Sequence, residues 1–214
     1  MTRLVDLSHE LATGMPVYPG DPVVELGDAA VGEPWRVSRL ALGSHSGTHI
    51  DAAAHYVRGG RTIDEYPLER FVLPAVVAII TAGAGEEIGR DVLGAALALL
   101  PAGGALLLAT GWDRHWGGAG MLDHPWLGAE ACGAIVAAGV GLVGTDAFNV
   151  DDSAAGTTHA HEILLGADVL IVENLRRLSE FSILAAGRTA HCAFVPLRLA
   201  GGDGSPIRAY GWTD

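Results

Sequence analysis

The stretch that decides the fold is VLGAALALLPAGGALLLATGW, residues 92–112. It carries no charged side chain and is long enough on paper to cross a bilayer. Pro101, Gly103 and Gly104 interrupt it at its centre. Proline removes a helix N–H, and paired glycines favour a turn. The stretch therefore reads as a helix from about Asp91 to Leu100, a turn, and a buried strand over Ala105–Thr110. A helix running straight into an uncharged strand is a unit of an α/β sheet rather than a membrane span.

The flanking sequence extends the same pattern. Upstream, Val72–Thr81 is an apolar strand in which Pro74 suggests an edge or a bulge. Downstream come a helix over Leu127–Ala138, a strand over Val140–Gly144, a short helix over Thr158–Leu165 and a buried strand over Asp168–Val172. Thr157 or Thr158 is the N-cap candidate of that short helix. A strand near Arg3–Leu7, an extended segment near Trp35–Leu42, and closing strands over Ser182–Ala186 and His191–Leu199 complete the reading. Helix and strand alternate in the middle while strands dominate the ends. This predicts an α/β fold with a mixed sheet, not a clean doubly wound one. No repeat or linker divides the chain, so the 214 residues are expected to form a single domain over 1–214.

Composition narrows the function. Half of the residues are hydrophobic and 18% are charged, which is globular. A chain of this length buries about 70% of its unfolded surface and needs no staple merely to fold. The net charge of −12 gives no broad electrostatic reason to bind nucleic acid or an anionic membrane. Every basic residue is arginine, which excludes Schiff-base chemistry, pyridoxal-phosphate anchoring and a P-loop lysine. Only Cys132 and Cys192 occur, with no CxxC, so a thiolate zinc site or a disulfide framework is not expected. Arg3, Asp6 and Glu10 leave no signal-peptide core in the first ten residues, and a cytoplasmic location is expected.

The nine histidines are unevenly spread. His45, His49 and His55 surround Asp51 in the run Ser44-His45-Ser46-Gly47-Thr48-His49-Ile50-Asp51-Ala52-Ala53-Ala54-His55. His159 and His161 form a second group, followed by Glu162 and Glu173. Nitrogen and carboxylate donors without thiolates suit zinc, manganese or iron. A regular helix would place Asp51 about 200° away from His49. A regular strand would leave His45 and His49 about 13 Å apart. Neither form brings the donors to one ion, so the segment has to bend, and Gly47 is placed to allow it. His9, His115, His124 and His191 have no evident partner in the sequence. His159 reads as a supporting or surface residue.

This run resembles the HxGTHxDAPxH signature of the metal-dependent cyclase family, which includes bacterial kynurenine formamidases and isatin hydrolases. The resemblance spans nearly the whole chain. Met15–Asp21 is similar to the family's MPVWPGD segment and Thr110–Trp112 to its TGW turn. Gly144–Asp151 is similar to its GxDxxSxD loop, His161–Leu175 to its H…LL…ENL stretch, and Asp203–Arg208 to its DGSPxR tail. Ala53 stands where the signature has proline, Tyr18 where the formamidases carry tryptophan, and Asn149 where the loop has serine.

The resemblance implies a partly barrel-like mixed sheet flanked by helices, of the swivelling β/β/α type. It implies a divalent metal, Zn2+ or Mn2+, as one or two ions held by His45, His49, Asp51, His161 and Glu173, with Asp51 bridging if two are present. His55 would be the general acid/base and Tyr18 would line the substrate pocket. The implied reaction is hydrolysis of an aryl formamide or related amide by an activated water. The partners would be a small-molecule substrate and further copies of the chain in a homodimer or homotetramer. An isatin hydrolase-like lactam hydrolase, a cyclase on another small molecule, and a non-catalytic metal or small-molecule binder are the alternatives. A serine route has little support, because no G-x-S-x-G occurs.

Overall fold

A computed structural model describes residues 3–214. Strands β1 (Val5–Asp6), β2 (Glu25–Ala29), β3 (Val37–Ala41) and β4 (His49–Asp51) occupy the first quarter. Then follow β5 (Val72–Ile79), β6 (Glu87–Ile88), helix α1 (Arg90–Leu99), β7 (Ala105–Ala109), β8 (Trp126–Leu127), α2 (Ala129–Ala137) and β9 (Leu142–Thr145). The chain ends with α3 (His159–Gly166), β10 (Leu170–Glu173), α4 (Leu178–Ala185), β11 (Ala190–Ala193), β12 (Gly204–Pro206) and β13 (Tyr210–Thr213).

Among the described residues, nine strands form one sheet in the order β1-β13-β11-β5-β7-β9-β10-β4-β12. The central β5-β7-β9-β10 pairings are parallel and the flanking ones antiparallel, so the sheet is mixed as expected. The stretch over 92–112 is the helix, turn and strand that its punctuation predicts. All five residues of β7 are buried. Leu106 and Leu108 pack with α1, α2 and α3 on one face, and Leu107 packs beside Leu178 and Phe181 of α4 on the other. Burial on both faces is why β7 reads as an unbroken apolar run.

The sheet is strongly curled. β12 and β13 lie near opposite ends of the strand order, seven neighbours apart, which in a flat sheet is about 34 Å at ~4.8 Å per strand. Only Ile207, Arg208 and Ala209 connect them, and so short a link spans at most ~14 Å. The two edges must therefore approach each other. Leu7 donates to the Ala209 carbonyl at 2.9 Å, and Ser8 bridges to Leu175. This is the partly barrel-like closure the resemblance implies.

Several local expectations are corrected. Ser182–Ala186 is not a strand but falls mostly within α4, because Leu178 and Phe181, three residues apart, are fully buried while Ile183 is exposed. Pro74 sits in an interior strand. Its carbonyl faces Gly104, below the first β5–β7 pair of Ala75 and Ala105, so its missing N–H costs no ladder bond there. The strand at His191 ends at Ala193, and the strand near Arg3 is confined to Val5–Asp6. The segment near Trp35 is β3, paired with an unforeseen β2 in an exposed hairpin. The helix expected from Leu127 begins at Ala129, since Trp126–Leu127 forms β8. Among the described residues no helix is long and apolar enough to cross a membrane.

Candidate metal centre

β4 and β10 build the floor of the site. They pair antiparallel with His49 opposite Glu173 and Asp51 opposite Ile171. Side chains two apart on a strand share a face, so His49, Asp51 and Glu173 project together while Ile50 and Val172 enter the core behind them. His45 arrives from the preceding loop. Gly47, at φ +67°, makes the bend, and a side chain there would strike Leu11. His161, the third residue of α3, comes down on the same face from the helical layer.

The donors converge in two triads that share Asp51. Those of His45, His49 and Asp51 all lie within 4.8 Å of one another, as do those of Asp51, His161 and Glu173. Asp51 Oδ1 is 2.7 Å from His45 Nδ1 and 3.3 Å from His49 Nε2. Asp51 Oδ2 is 3.6 Å from His161 Nε2 and has no hydrogen-bond partner, although it is buried. Glu173 lies 3.5 Å from His161 Nε2 and 3.6 Å from His49 Nε2. Donors about 2.1 Å from one ion stand roughly 3 Å apart, so these separations fit a divalent cation after small adjustments. A buried carboxylate oxygen left without a donor is the strongest local sign that the residues suit such an ion.

Outer groups fix the rings. His161 Nδ1 donates to Asp151 Oδ2 at 2.8 Å, and Asp151 also accepts the backbone N–H groups of Ala160 and His161. His49 Nδ1 donates to the Gly47 carbonyl at 2.8 Å. These bonds turn Nε2 of both rings toward the carboxylates. His45 Nε2 donates to Asp203 Oδ2 at 3.0 Å.

Charge separates His55 from the rest. Burial disfavours the protonated form of His161, but Asp151, Asp51 and Glu173 outweigh it and lift its pKa to about 10. His45 is lifted to about 9 against the cost of burial, by Asp51 and Asp203. His49 is also raised, burial again being overcome by Asp51 and Glu173. Asp51 is held well below the ordinary carboxylate range because its histidines outweigh its burial, whereas burial raises Glu173. His55 moves the other way: burial, with help from the charges of His45 and His161, lowers its pKa. It lies 3.9 Å centroid to centroid from His45, with Nδ1 3.5 Å from Asp203, and these three form a more open donor group apart from the two buried triads that share Asp51.

A cavity of about 270 Å³ opens over the cluster. Tyr18, Phe148 and Tyr56 line it, as do Asn149 and Thr158. Tyr18 and Phe148 are parallel at 6.2 Å, and Tyr56 stacks on His161 at 4.7 Å. Every expected site residue thus meets at one place. Asp151, Asp203, Tyr56 and Phe148 were not singled out individually from the sequence, although Asp151 and Phe148 lie in the family-like loop and Asp203 in the tail. His159 lies 3.3 Å from Asp151, a supporting position. His191, which has no evident partner in the sequence, stacks on Trp212 and pairs with Asp214.

A curled mixed sheet carrying an imidazole–carboxylate cage beneath an aromatic cavity defines a class of metal-dependent enzyme. The putative cyclase family model matches residues 5–152, and the chain belongs to this family. It is 31% identical to the kynurenine formamidase of Maricaulis maris over 217 residues, covering 98% of this chain and 97% of that one. It is 33% identical to the kynurenine formamidase of Salinibacter ruber over 222 residues, covering 96% and 95%. Among solved structures, isatin hydrolase A from Labrenzia aggregata, bound to benzyl benzoate, superposes with a TM-score of 0.85 at 26% identity, covering 99% of this chain and 93% of that one. Isatin hydrolase A from Ralstonia solanacearum gives 0.84 at 26% identity, covering 100% and 92%. The chain thus resembles kynurenine formamidases in sequence and isatin hydrolases in fold over nearly its whole length.

Proposed function

We propose that this protein, acting as a single domain over 1–214, hydrolyses an aryl formamide or a closely related aryl amide. His45, His49, Asp51, His161 and Glu173 hold the metal and His55 moves the protons. The observation that carries the reading is the pair of triads sharing Asp51, with the lowered-pKa imidazole of His55 beside them. The donor set favours Zn2+, with Mn2+ as the second choice, and two triads leave room for one or two ions. When bound, such an ion supplies a water acidic enough to react near neutral pH and polarises the substrate carbonyl.

The residues do the rest. Asp51 and Glu173 set the negative charge of the cage. Tyr18 and Phe148 hold the aryl group against one wall of the cavity, while Tyr56 keeps the ring of His161 in place. His55 enters neutral, because its pKa is lowered. Its Nδ1 lies toward Asp203, so Nε2 is the atom that takes a proton from the attacking water. As the C–N bond breaks, the same nitrogen returns that proton to the departing amine. Water is consumed, and an acid and an amine leave.

Kynurenine formamidase relatives favour N-formylkynurenine as the substrate. Tyr18, standing where those enzymes resemble one another in carrying tryptophan, favours a second reading in which the substrate is a lactam such as isatin. The assay that decides is turnover of N-formylkynurenine and isatin with and without chelator. Chelator-sensitive hydrolysis of either supports the enzyme. Tight metal retention without turnover on a broad amide and lactone panel would make the chain a binder instead. We place the enzyme in the cytoplasm as a homodimer or homotetramer.

A further inference from the structure

Asp203 touches both the cage and the proton-transfer histidine, and neither composition nor spacing marks it. It sits one residue before β12, the edge strand beside β4. Its backbone carbonyl accepts the N–H of Ala52 at 2.9 Å, which pins the tail to the loop between Asp51 and His55. One oxygen, Oδ2, is 3.0 Å from His45 Nε2 and 3.5 Å from His55 Nδ1. The two rings are in contact, 3.9 Å apart between centroids and tilted by 32° to each other. The next residue is Gly204, where an added Cβ would fall 2.7 Å from His45 Cε1. The backbone is therefore bare where the ring of His45 must lie against it.

We infer that Asp203 is a positioning residue that sets the tautomers of two histidines with a single oxygen. By accepting Nε2–H from His45 it leaves Nδ1 for the ion-facing side, where Asp51 Oδ1 lies at 2.7 Å. Its charge, 3.5 Å from His55 Nδ1, favours the proton on that nitrogen and so leaves Nε2 unprotonated. A carboxylate behind a ligating imidazole fixes its orientation and raises its basicity. Here the same carboxylate couples ion capture to proton transfer. The inference rests on the metal reading proposed above.

The test compares Asp203→Asn and Asp203→Ala with the unaltered protein. The Asp203 side chain is nearly half exposed, so neither change opens a buried hole. Zn2+ affinity is measured without substrate, by competition with a chromogenic chelator. The ring nitrogens of His55 are read by 15N NMR in the Zn2+-loaded protein. Both variants should bind Zn2+ about 10–100-fold more weakly. His55 should pass from the Nδ1–H form to a mixture, and at saturating Zn2+ kcat should fall with KM unchanged. Asp203→Glu should recover part of the affinity. Unaltered affinity together with an unaltered His55 tautomer in both variants would overturn the assignment of Asp203 alone. Failure of the unaltered protein to bind Zn2+ would overturn the metal reading as well, so the two failures are distinguishable.

Discussion

Asp151 holds His161 from behind: Oδ2 accepts Nδ1–H at 2.8 Å and leaves Nε2 as the inward atom of the ring. Asp151→Asn keeps the shape and can turn its amide oxygen to His161, but it removes the charge that supports the ring. Metal affinity should fall about 10–100-fold, the usual effect of losing a partner behind a ligating histidine. Competition with a chelator measures it, and an unchanged affinity would show that Asp151 merely caps the start of α3.

His55→Ala should keep metal content near normal and lower kcat by about 10²–10⁴, the range for loss of one general acid/base. Asp51→Ala should fail to retain metal, since both triads lose a donor. Elemental analysis beside turnover separates the two roles. Full occupancy in the Asp51 variant, or wild-type turnover in the His55 variant, contradicts the assignments.

Chelation should also reveal itself without any substrate. An ion that binds only the folded chain stabilises it by about 2.7 kcal/mol at a hundred times Kd. The melting temperature should therefore drop by several degrees in chelator and return on adding Zn2+. Equal melting with and without chelator would mean that no ion is held.

Tyr18→Ala removes one aromatic wall while leaving the cage alone. A ring–ring contact contributes about 0.5–1.5 kcal/mol beyond its area, so KM for an aryl substrate should rise about 3- to 10-fold with a smaller change in kcat. Tyr18→Phe should behave like wild type. Steady-state kinetics on whichever aryl amide is turned over decides this.

His9 should make the fold acid-sensitive. Burial, with the charge of Arg176, lowers its pKa to about 4, and its Nε2 has no partner. The unfolded chain binds the His9 proton below about pH 6.5 while the folded one resists until about pH 4. Stability from this residue is thus complete above pH 6.5 and is lost as pH falls toward 4. His9→Phe keeps the stack on Trp116, where the rings lie 4.1 Å apart, and removes the proton. The gap in urea midpoint between pH 7 and pH 4.5 should be narrower than in wild type. An equal or wider gap would refute the role of His9.

The cage was legible because much of its specification is local. His45, His49, Asp51 and His55 lie on one short segment that cannot serve an ion as regular helix or strand, so the bend at Gly47 could be expected before it was seen. Proline and glycine at 101, 103 and 104 likewise announced the turn between α1 and β7. α4 was misread because Ile183 and Leu184 look strand-like by themselves, while the contacts that decide its form belong to Leu178 and Phe181 against the distant sheet. Asp151, in an Asp-Asp pair, and Asp203 are loop residues of an acidic chain. What distinguishes them is the imidazole each one meets, and that partner is ten residues away for Asp151 but 158 for Asp203.

The three-residue link between β12 and β13 has a consequence for biosynthesis. Residues 203–213 seal the curl of the sheet and bring Asp203 to His45 and His55. Until those residues have left the ribosome, the cage lacks its outermost support, so the proposed hold on an ion can form only after they emerge. A premature stop codon just before residue 203 would spare every proposed ligand yet remove β12, β13 and Asp203, leaving the cage without its outer wall.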